Sequence, residues 1–327
     1  MTGFQNAKIL GIGINPDEYH AQDAKRGTPD FIMSPSSLRN FAQCPQRFIN
    51  GYDQPDTDAK LFGSLVDCRL LTPEQFEARY AITPATYPDT KTGEKKPWNM
   101  NANFCKAWAE EQIGREIISA GDLQEADAAI RSLRRDDIIT DFLAASDCQV
   151  LLQGEYAAAN GVVVPVRCLM DFVPRNDTEW FKSLGDLKTT RNASPMPWQR
   201  WCYQAGYHVQ ASFDSDLYVA ATGEDRNTWC FVLVENFEPY QTGKRILSQD
   251  FMELGRAQYR QHLENYAACL KANRFPGYDD SDESVDGWSL VAPEPWMANQ
   301  IQFSPRLNFG DETPVREREQ EQADVPI

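Results

Sequence analysis

The triplet Asp186-Leu187-Lys188 closes the segment that begins with the apolar run 180–184, and Asp171 lies fifteen residues before it. Side chains alternate between faces along a strand, so Asp186 and Lys188 share a face while Leu187 takes the other, toward the core. Two carboxylates are hard oxygen ligands for a divalent cation, and the Leu187 carbonyl adds a further oxygen. A lysine ammonium beside them can orient a water against a phosphodiester. The set suits metal-assisted hydrolysis of a phosphate ester. Asp-x-Lys triplets also occur by chance on solvated strand ends, so the weight of the reading falls on the elements that place this one.

Residues 151–158 read as a strand, Asn160-Gly161 as a hairpin turn, and residues 162–173 as a second strand rich in β-branched side chains. The Asp186 strand follows. Ser194-Pro195 supplies an N-cap and a first-turn proline for a helix running to about Leu217, before a strand over residues 228–234. With a helix over residues 60–71 in front, the order is helix, three strands, helix, strand. The expected fold is therefore α/β: a PD-(D/E)XK restriction-endonuclease-like core, with a central mixed sheet flanked by helices and further helical additions.

Several segments in this order resemble the RecE-type (exonuclease VIII-like) exonucleases, relatives of lambda exonuclease and the RecB nuclease domain. Met33-Ser34-Pro35-Ser36-Ser37-Leu38 through Cys44-Pro45-Gln46-Arg47-Phe48 is similar to that family's first helix. Phe62-Gly63-Ser64-Leu65-Val66-Asp67, with Leu70-Leu71-Thr72-Pro73 behind it, resembles its Gly-x-x-x-His segment. Val166-Arg167-Cys168-Leu169-Met170-Asp171 resembles the strand of the first acid, and Asp186-Leu187-Lys188-Thr189-Thr190 with Ala193-Ser194 the metal-ligand strand. Tyr207-His208-Val209-Gln210-Ala211 resembles a helix carrying Gln-x-x-x-Tyr. The resemblance covers residues 30–300.

What the resemblance implies is specific. The chain would hydrolyse linear double-stranded DNA from its ends, 5′ to 3′, using Mg²⁺ or Mn²⁺, in phage-type recombination. Asp171 and Asp186 would bind metal with the Leu187 carbonyl, Lys188 would position the water, and Gln210 would steady substrate or Lys188. Two positions depart from the family pattern. The family's metal-site histidine is Asp67 here, a competent hard-cation ligand, and the motif tyrosine is Asp214, read as a solvated acid. Tyr203, Tyr207, Gln210 and Asp214 share a helix face by their spacing. Glu155, in the strand before Asp171, is assigned a supporting or water-mediated role, because hairpin counting puts it near residue 166. Implied partners are a RecT-like single-strand annealing protein and further copies of the chain in a ring.

Composition sets the remaining bounds. A chain of 327 residues, 42% hydrophobic, can bury a sizeable core. No run of eighteen apolar residues suggests a membrane span, and no charged-then-apolar N-terminus suggests a secretory signal, so a cytoplasmic location is expected. Eight scattered cysteines without a Cys-x-x-Cys pair read as buried thiols. An iron–sulfur cluster beginning at Cys44 is rejected, because Cys230 and Cys269 do not make a late triplet. The net charge of −16 excludes a generic nucleic-acid binder with a basic surface. Local cations remain: Arg167, Lys182, Lys188, Arg191 and Arg200 around the site, and Lys91, Lys95 and Lys96 in a turn-rich loop ending at Trp98. A ring with a basic lumen and an acidic outside accommodates both facts.

The other segments are plainer. Residues 1–30 are expected to form an N-terminal extension, 31–300 the nuclease domain and 301–327 a charged, disordered tail. Gly11-Ile12-Gly13 reads as strand and turn rather than a dinucleotide site. Asp122-Leu123-Gln124-Glu125 reads as a capping box opening a helix through Leu133, and residues 251–272 as a long amphipathic helix. His208 is read as packing on its helix. Two other readings stay open: a structure-specific or defence endonuclease on the same core, and a catalytically silent DNA-end-binding or scaffold protein.

Overall fold

The Asn160-Gly161 turn organises the sheet. Gly161 has φ of 85°, in the left-handed region that favours glycine, and Ala158 N–H donates to the Val162 carbonyl at 2.9 Å to close the hairpin. In the computed structural model, residues 3–51, 57–89 and 92–278 are described, together with 280, 284–285, 288–289 and 291. Strands β1 (Gly3–Gly11), β2 (Ser146–Ala157), β3 (Val163–Pro174), β4 (Ser183–Thr190), β5 (Thr228–Glu235) and β6 (Thr242–Ile246) form one sheet in that spatial order. Every neighbouring pair is antiparallel except β4 and β5. A parallel pair needs a long crossover.

The helices packed on this sheet are α1 (Pro35–Gln43), α2 (Asp58–Leu71), α3 (Ala120–Leu133), α4 (Asp137–Ala145), α5 (Pro195–Gln204), α6 (Tyr207–Thr222) and α7 (Gln249–Ala272). The crossover from β4 to β5 is α5 plus α6. A mixed sheet flanked by helices is the architecture expected from the sequence. Residues 3–11 also join it as an edge strand on β2. Residues 279–327 make a separate unit, in which Ser284–Val285 pairs antiparallel with Trp288–Ser289. The expected tail and most of the acidic stretch 279–286 lie outside the described residues. Among the described residues no helix is long and apolar enough to cross a membrane.

Alternation along β5 shows how the sheet is covered. Phe231 and Leu233 enter a core with Met170, Leu217 and Tyr259, while Val232 and Val234 enter a second with Leu65, Leu133, Phe142 and Leu187. A strand buried on both sides reads as a continuous apolar run, which is what residues 229–234 are. On the first side α6 and α7 meet at Gly255. A Cβ there would lie 2.2 Å from the His208 carbonyl oxygen and 2.4 Å from Ser212 Oγ, so this crossing requires glycine. The Ser212 hydroxyl bridges the seam, lying 2.9 Å from the His208 carbonyl and 2.8 Å from that of Met252.

Two helix boundaries differ from expectation. The single helix expected from Ser194 to Leu217 is two, because Gly206 adopts φ of 69° and breaks the ladder between α5 and α6. Ser194 precedes α5, but its hydroxyl turns to Asn192 and does not cap the helix. The second concerns α3, which starts earlier than its assigned box. Ser119 is the N-cap and Asp122 the third residue, and each side chain takes the other's backbone N–H, at 3.1 and 2.7 Å. Serine outcompetes aspartate here because the reciprocal pair satisfies two orphan amides at once.

Candidate active site

The site lies where β3 and β4 part. These strands share one ladder pair, Phe172↔Gly185, after which β4 continues alongside β5. Beyond the fork, Asp171 replaces the missing strand partner: its Oδ2 accepts the Leu187 N–H at 2.8 Å. Its Oδ1 accepts from Gln149 Nε2 at 3.1 Å. Gln149 faces Asp171 across the β2–β3 hairpin at an irregular point with φ of 51°, and its own Oε1 is buried without a partner. Counting the hairpin outward from Ala157↔Val163 would have found this residue; sequence reading missed it.

Asp186 and Lys188 share a strand face, as alternation requires. Asp186 is only 3% exposed, with Oδ2 ion-paired to Lys188 Nζ and Oδ1 accepting from Gln210 Nε2 of α6 at 2.9 Å. Leu187 points the other way, into the second core. Lys188 Nζ lies 5.1 Å from the centre of the Tyr207 ring, a cation–π contact. Burial works against its charge, but Asp186, Asp171 and Tyr207 outweigh that and raise its pKa above the ordinary lysine range. Lys188 is therefore a fixed ammonium that can donate and cannot accept.

The acids show the opposite stress. Burial first, then Asp186 and Asp67, push the Asp171 carboxyl well above the carboxylate range. Asp67 comes from α2, which approaches β4 closely because Gly63 leaves only 3.1 Å between its would-be Cβ and Thr189 Oγ1. Burial pushes Asp67 up to about 7, with Lys188 working against the rise and Asp186 adding to it. Asp67 thus belongs to the same electrostatic cluster. Asp214 corrects the reading of a solvated acid: it is 1% exposed on the buried side of α6. Burial, then Asp186, raises its carboxyl far above the ordinary value, while hydrogen bonds with Cys168 and Gln210 pull the other way. Its Oδ1 has no partner.

A cleft of about 300 Å³ adjoins the fork, lined by Lys188, Tyr207, Gln210, Asp214, Cys168 and Arg39, among others; Asp171, Asp186 and Asp67 lie behind this lining and are not part of it. Other expected members lie elsewhere. Glu155 sits in the β1–β2 ladder, where Asn6 Nδ2 and Gln5 Nε2 donate to it at 2.7 and 3.3 Å. Tyr203 falls before the Gly206 break and stacks on His208, so it does not share the Gln210 face. His208 packs as expected, its Nε2 2.7 Å from Gln258 Oε1. Of the five local cations, Lys188 alone lines this cleft. Arg167 lies over Tyr19, Lys182 over Phe181, and Arg191 lines a neighbouring groove. Lys96 pairs with Asp89, and Lys91 is outside the described residues. All eight cysteines are unpaired.

Among the described residues no three His, Cys, Asp or Glu side chains form a ready-made metal cage. The donor chemistry nevertheless fits a hard divalent ion. Magnesium characteristically takes one or two carboxylates and completes its shell with waters and substrate phosphate. Asp171 and Asp186 are two buried carboxylates beside a third; Asp186 raises the proton affinity of both Asp171 and Asp67, and a bound dication would relieve that repulsion.

Residues 34–286 match the PDDEXK-like domain of unknown function (DUF3799). The crystal structure of a candidate exonuclease from Eubacterium rectale is similar in fold, with a TM-score of 0.54 at 15% identity, over 88% of this chain and 98% of that one. Among curated proteins none matches the sequence. Nucleases of the PD-(D/E)XK type generally use divalent metals, in keeping with the hard-oxygen donors at the fork. With the match spanning most of the chain, and with the fork, the two aspartates and the lysine in place, the chain belongs to the PDDEXK-like DUF3799 family.

Proposed function

We propose that the chain is a divalent-metal-dependent exodeoxyribonuclease that degrades linear double-stranded DNA, 5′ to 3′, for phage-type recombination. The observation that carries this is the convergence of Asp171, Asp186 and Lys188 at one strand fork, with Lys188 also lining the adjoining cleft. Asp171 and Asp186 would hold Mg²⁺, or Mn²⁺ in its place, with the Leu187 carbonyl and Asp67 as further ligands. A bound ion of this kind supplies an activated water and takes up phosphoryl charge. Lys188, which can only donate, places the oxygen of the attacking water or of the phosphoryl group. Tyr207 and Asp186 hold that ammonium in place. Gln210 keeps Asp186 Oδ1 turned toward α6, so that Oδ2 stays with Lys188.

The exonuclease description carried by the fold neighbour supports an end-directed reading. A closed ring with basic residues around its passage would reconcile a net charge of −16 with a polyanionic substrate. The resemblance to RecE-type enzymes adds a RecT-like annealing partner on the exposed 3′ strand and a cytoplasmic setting. The test is to incubate the protein with 5′-end-labelled linear duplex and with closed circular plasmid in Mg²⁺, then repeat with chelator. Release of label from the linear DNA alone, abolished by the chelator, is the expected result. Cleavage of the circle would instead indicate an endonuclease, and failure to cut either with Mg²⁺ or Mn²⁺ would indicate a DNA-end-binding protein.

A further inference from the structure

We infer that the groove next to the cleft is a stacking platform for one unpaired base of the strand being cut. This inference rests on the nuclease reading above. The groove, of about 530 Å³, is lined by Thr189, Arg191, Asn192, Trp201, Tyr207 and Lys60, among others. It begins where the candidate active site ends. Thr189 and Thr190 follow Lys188 on β4, and Tyr207, which supports the Lys188 ammonium, lines both hollows. A strand whose phosphate is held at Lys188 therefore passes its next nucleotide around Tyr207 and into the groove.

Trp201 makes this hollow suitable for a base. Helix α5 buries Trp198 and Cys202 against the core and leaves the Trp201 indole 48% exposed. An indole on a groove wall offers a flat π-face at a site without sequence readout, which is how single strands are held. The polar rim has matching chemistry. Arg191 has no hydrogen bond or ion pair among the described residues, so its guanidinium is available for a phosphate. Asn192 Oδ1 is held by the Ser194 N–H at 2.9 Å, leaving its amide nitrogen as the uncommitted end. Among the described residues lining the groove none is acidic, in a chain of net charge −16. That local reversal of sign selects an anionic occupant.

The occupant must be an unpaired base. Inside a duplex both faces of a base are already stacked, so the indole has nothing to cover. A base released at a strand end has one free face, and stacking on Trp201 offsets part of its unpairing. The substrate at this site is therefore a locally single-stranded segment, supplied either by opening a duplex end or as single strand.

The test measures anisotropy of a labelled single-stranded oligonucleotide with the full chain in chelator, so that binding is read without hydrolysis. An abasic residue is walked along the oligonucleotide. Trp201→Ala should weaken binding on the order of tenfold, with Trp201→Phe close to wild type. Arg191→Ala should weaken it and flatten its salt dependence. At one abasic position wild type should lose about the same factor, and Trp201→Ala should lose nothing further there. Losses that simply multiply, or a Trp201→Ala protein that binds like wild type, would overturn the platform. Wild-type hydrolysis of linear duplex, assayed in parallel, separates the two claims: cutting with indifferent variants defeats this inference alone, whereas a wild type that neither binds nor cuts defeats both.

Discussion

Asp214 and Asp216 lie two residues apart on α6 and receive opposite treatment from the fold. Asp216 faces α7, where Arg256 Nε, the Tyr259 hydroxyl and Arg260 Nη2 donate to it at 2.8, 2.6 and 3.3 Å. Asp214 faces the fork, with an oxygen lacking any partner and Asp186 for a neighbour. The same contrast extends to the surrounding regions. The α6–α7 seam is closed by Gly255 and the Ser212 bridge, and Ser212, Asp216 and the His208 Nε2 find partners there, with His208 Nδ1 the buried exception. At the fork, Gln149 Oε1 and Asp214 Oδ1 are orphaned, and Asp171 and Asp67 hold protons far above the normal range. Paired groups hold the seam, while unpaired and proton-shifted groups collect at the fork, a pattern common to sites that must shift proton affinities.

The contrast is broken most directly by removing charge at the fork. Asp186→Asn should lower hydrolysis by about 10²–10³-fold or more and also lower stability, because it leaves the Lys188 ammonium without its ion-pair partner. Asp171→Asn should lower hydrolysis by about the same factor while the unfolding temperature of the metal-free protein holds or rises. A large fall in that temperature for Asp171→Asn would mean that the fork is structural after all. The reverse case is Asp216→Ala, which should cost about 1.5–3 kcal/mol of stability and leave the rate per folded molecule intact. Denaturant titration beside a hydrolysis assay reads both quantities.

Proton linkage gives a smaller and sharper test. Asp67 titrates at about 7 when folded and near ~3.9 when unfolded, so the folded state binds more protons between those values. Metal-free stability should therefore fall as pH rises from about 4 to about 7, with Asp171 and Asp214 shifted in the same direction. Asp67→Asn should flatten that slope, and in a hydrolysis assay it should raise the Mg²⁺ concentration needed. Thermal unfolding across pH with both proteins checks the first part; parallel curves would remove Asp67 from the cluster. The smallest effect is expected at Glu155, whose partners are Gln5 and Asn6. Glu155→Gln should change hydrolysis by less than about twofold, and a large loss would return it to the site.

Much of the fork was legible because strand chemistry is local. Period-two alternation put Asp186 and Lys188 together with Leu187 opposed, and Asn160-Gly161 fixed the hairpin that carries Asp171. The order of elements followed from caps, turns and β-branched runs. What escaped reading depended on contacts distant in sequence. Gly206 could have sat inside a helix, and only its left-handed backbone shows that it separates Tyr203 from Gln210. Asp214 looks like any helix-surface acid until α6 is packed on the sheet. Gln149 carries no charge to draw notice, and Glu155 drew it wrongly, because the residue that meets Asp171 is set by hairpin register and not by residue type. The pairing of residues 3–11 with β2 was equally invisible, since edge strands leave little pattern of their own.

The central claim is that Lys188, held by Asp186 and Tyr207, works with the two aspartates as a metal-dependent hydrolytic site. The most direct measurement compares wild type and Lys188→Ala for release of label from linear duplex DNA in Mg²⁺, each with a thermal unfolding curve. The account predicts that the variant folds like wild type and loses hydrolysis by about 10²-fold or more. A folded Lys188→Ala protein that cuts at the wild-type rate would contradict it.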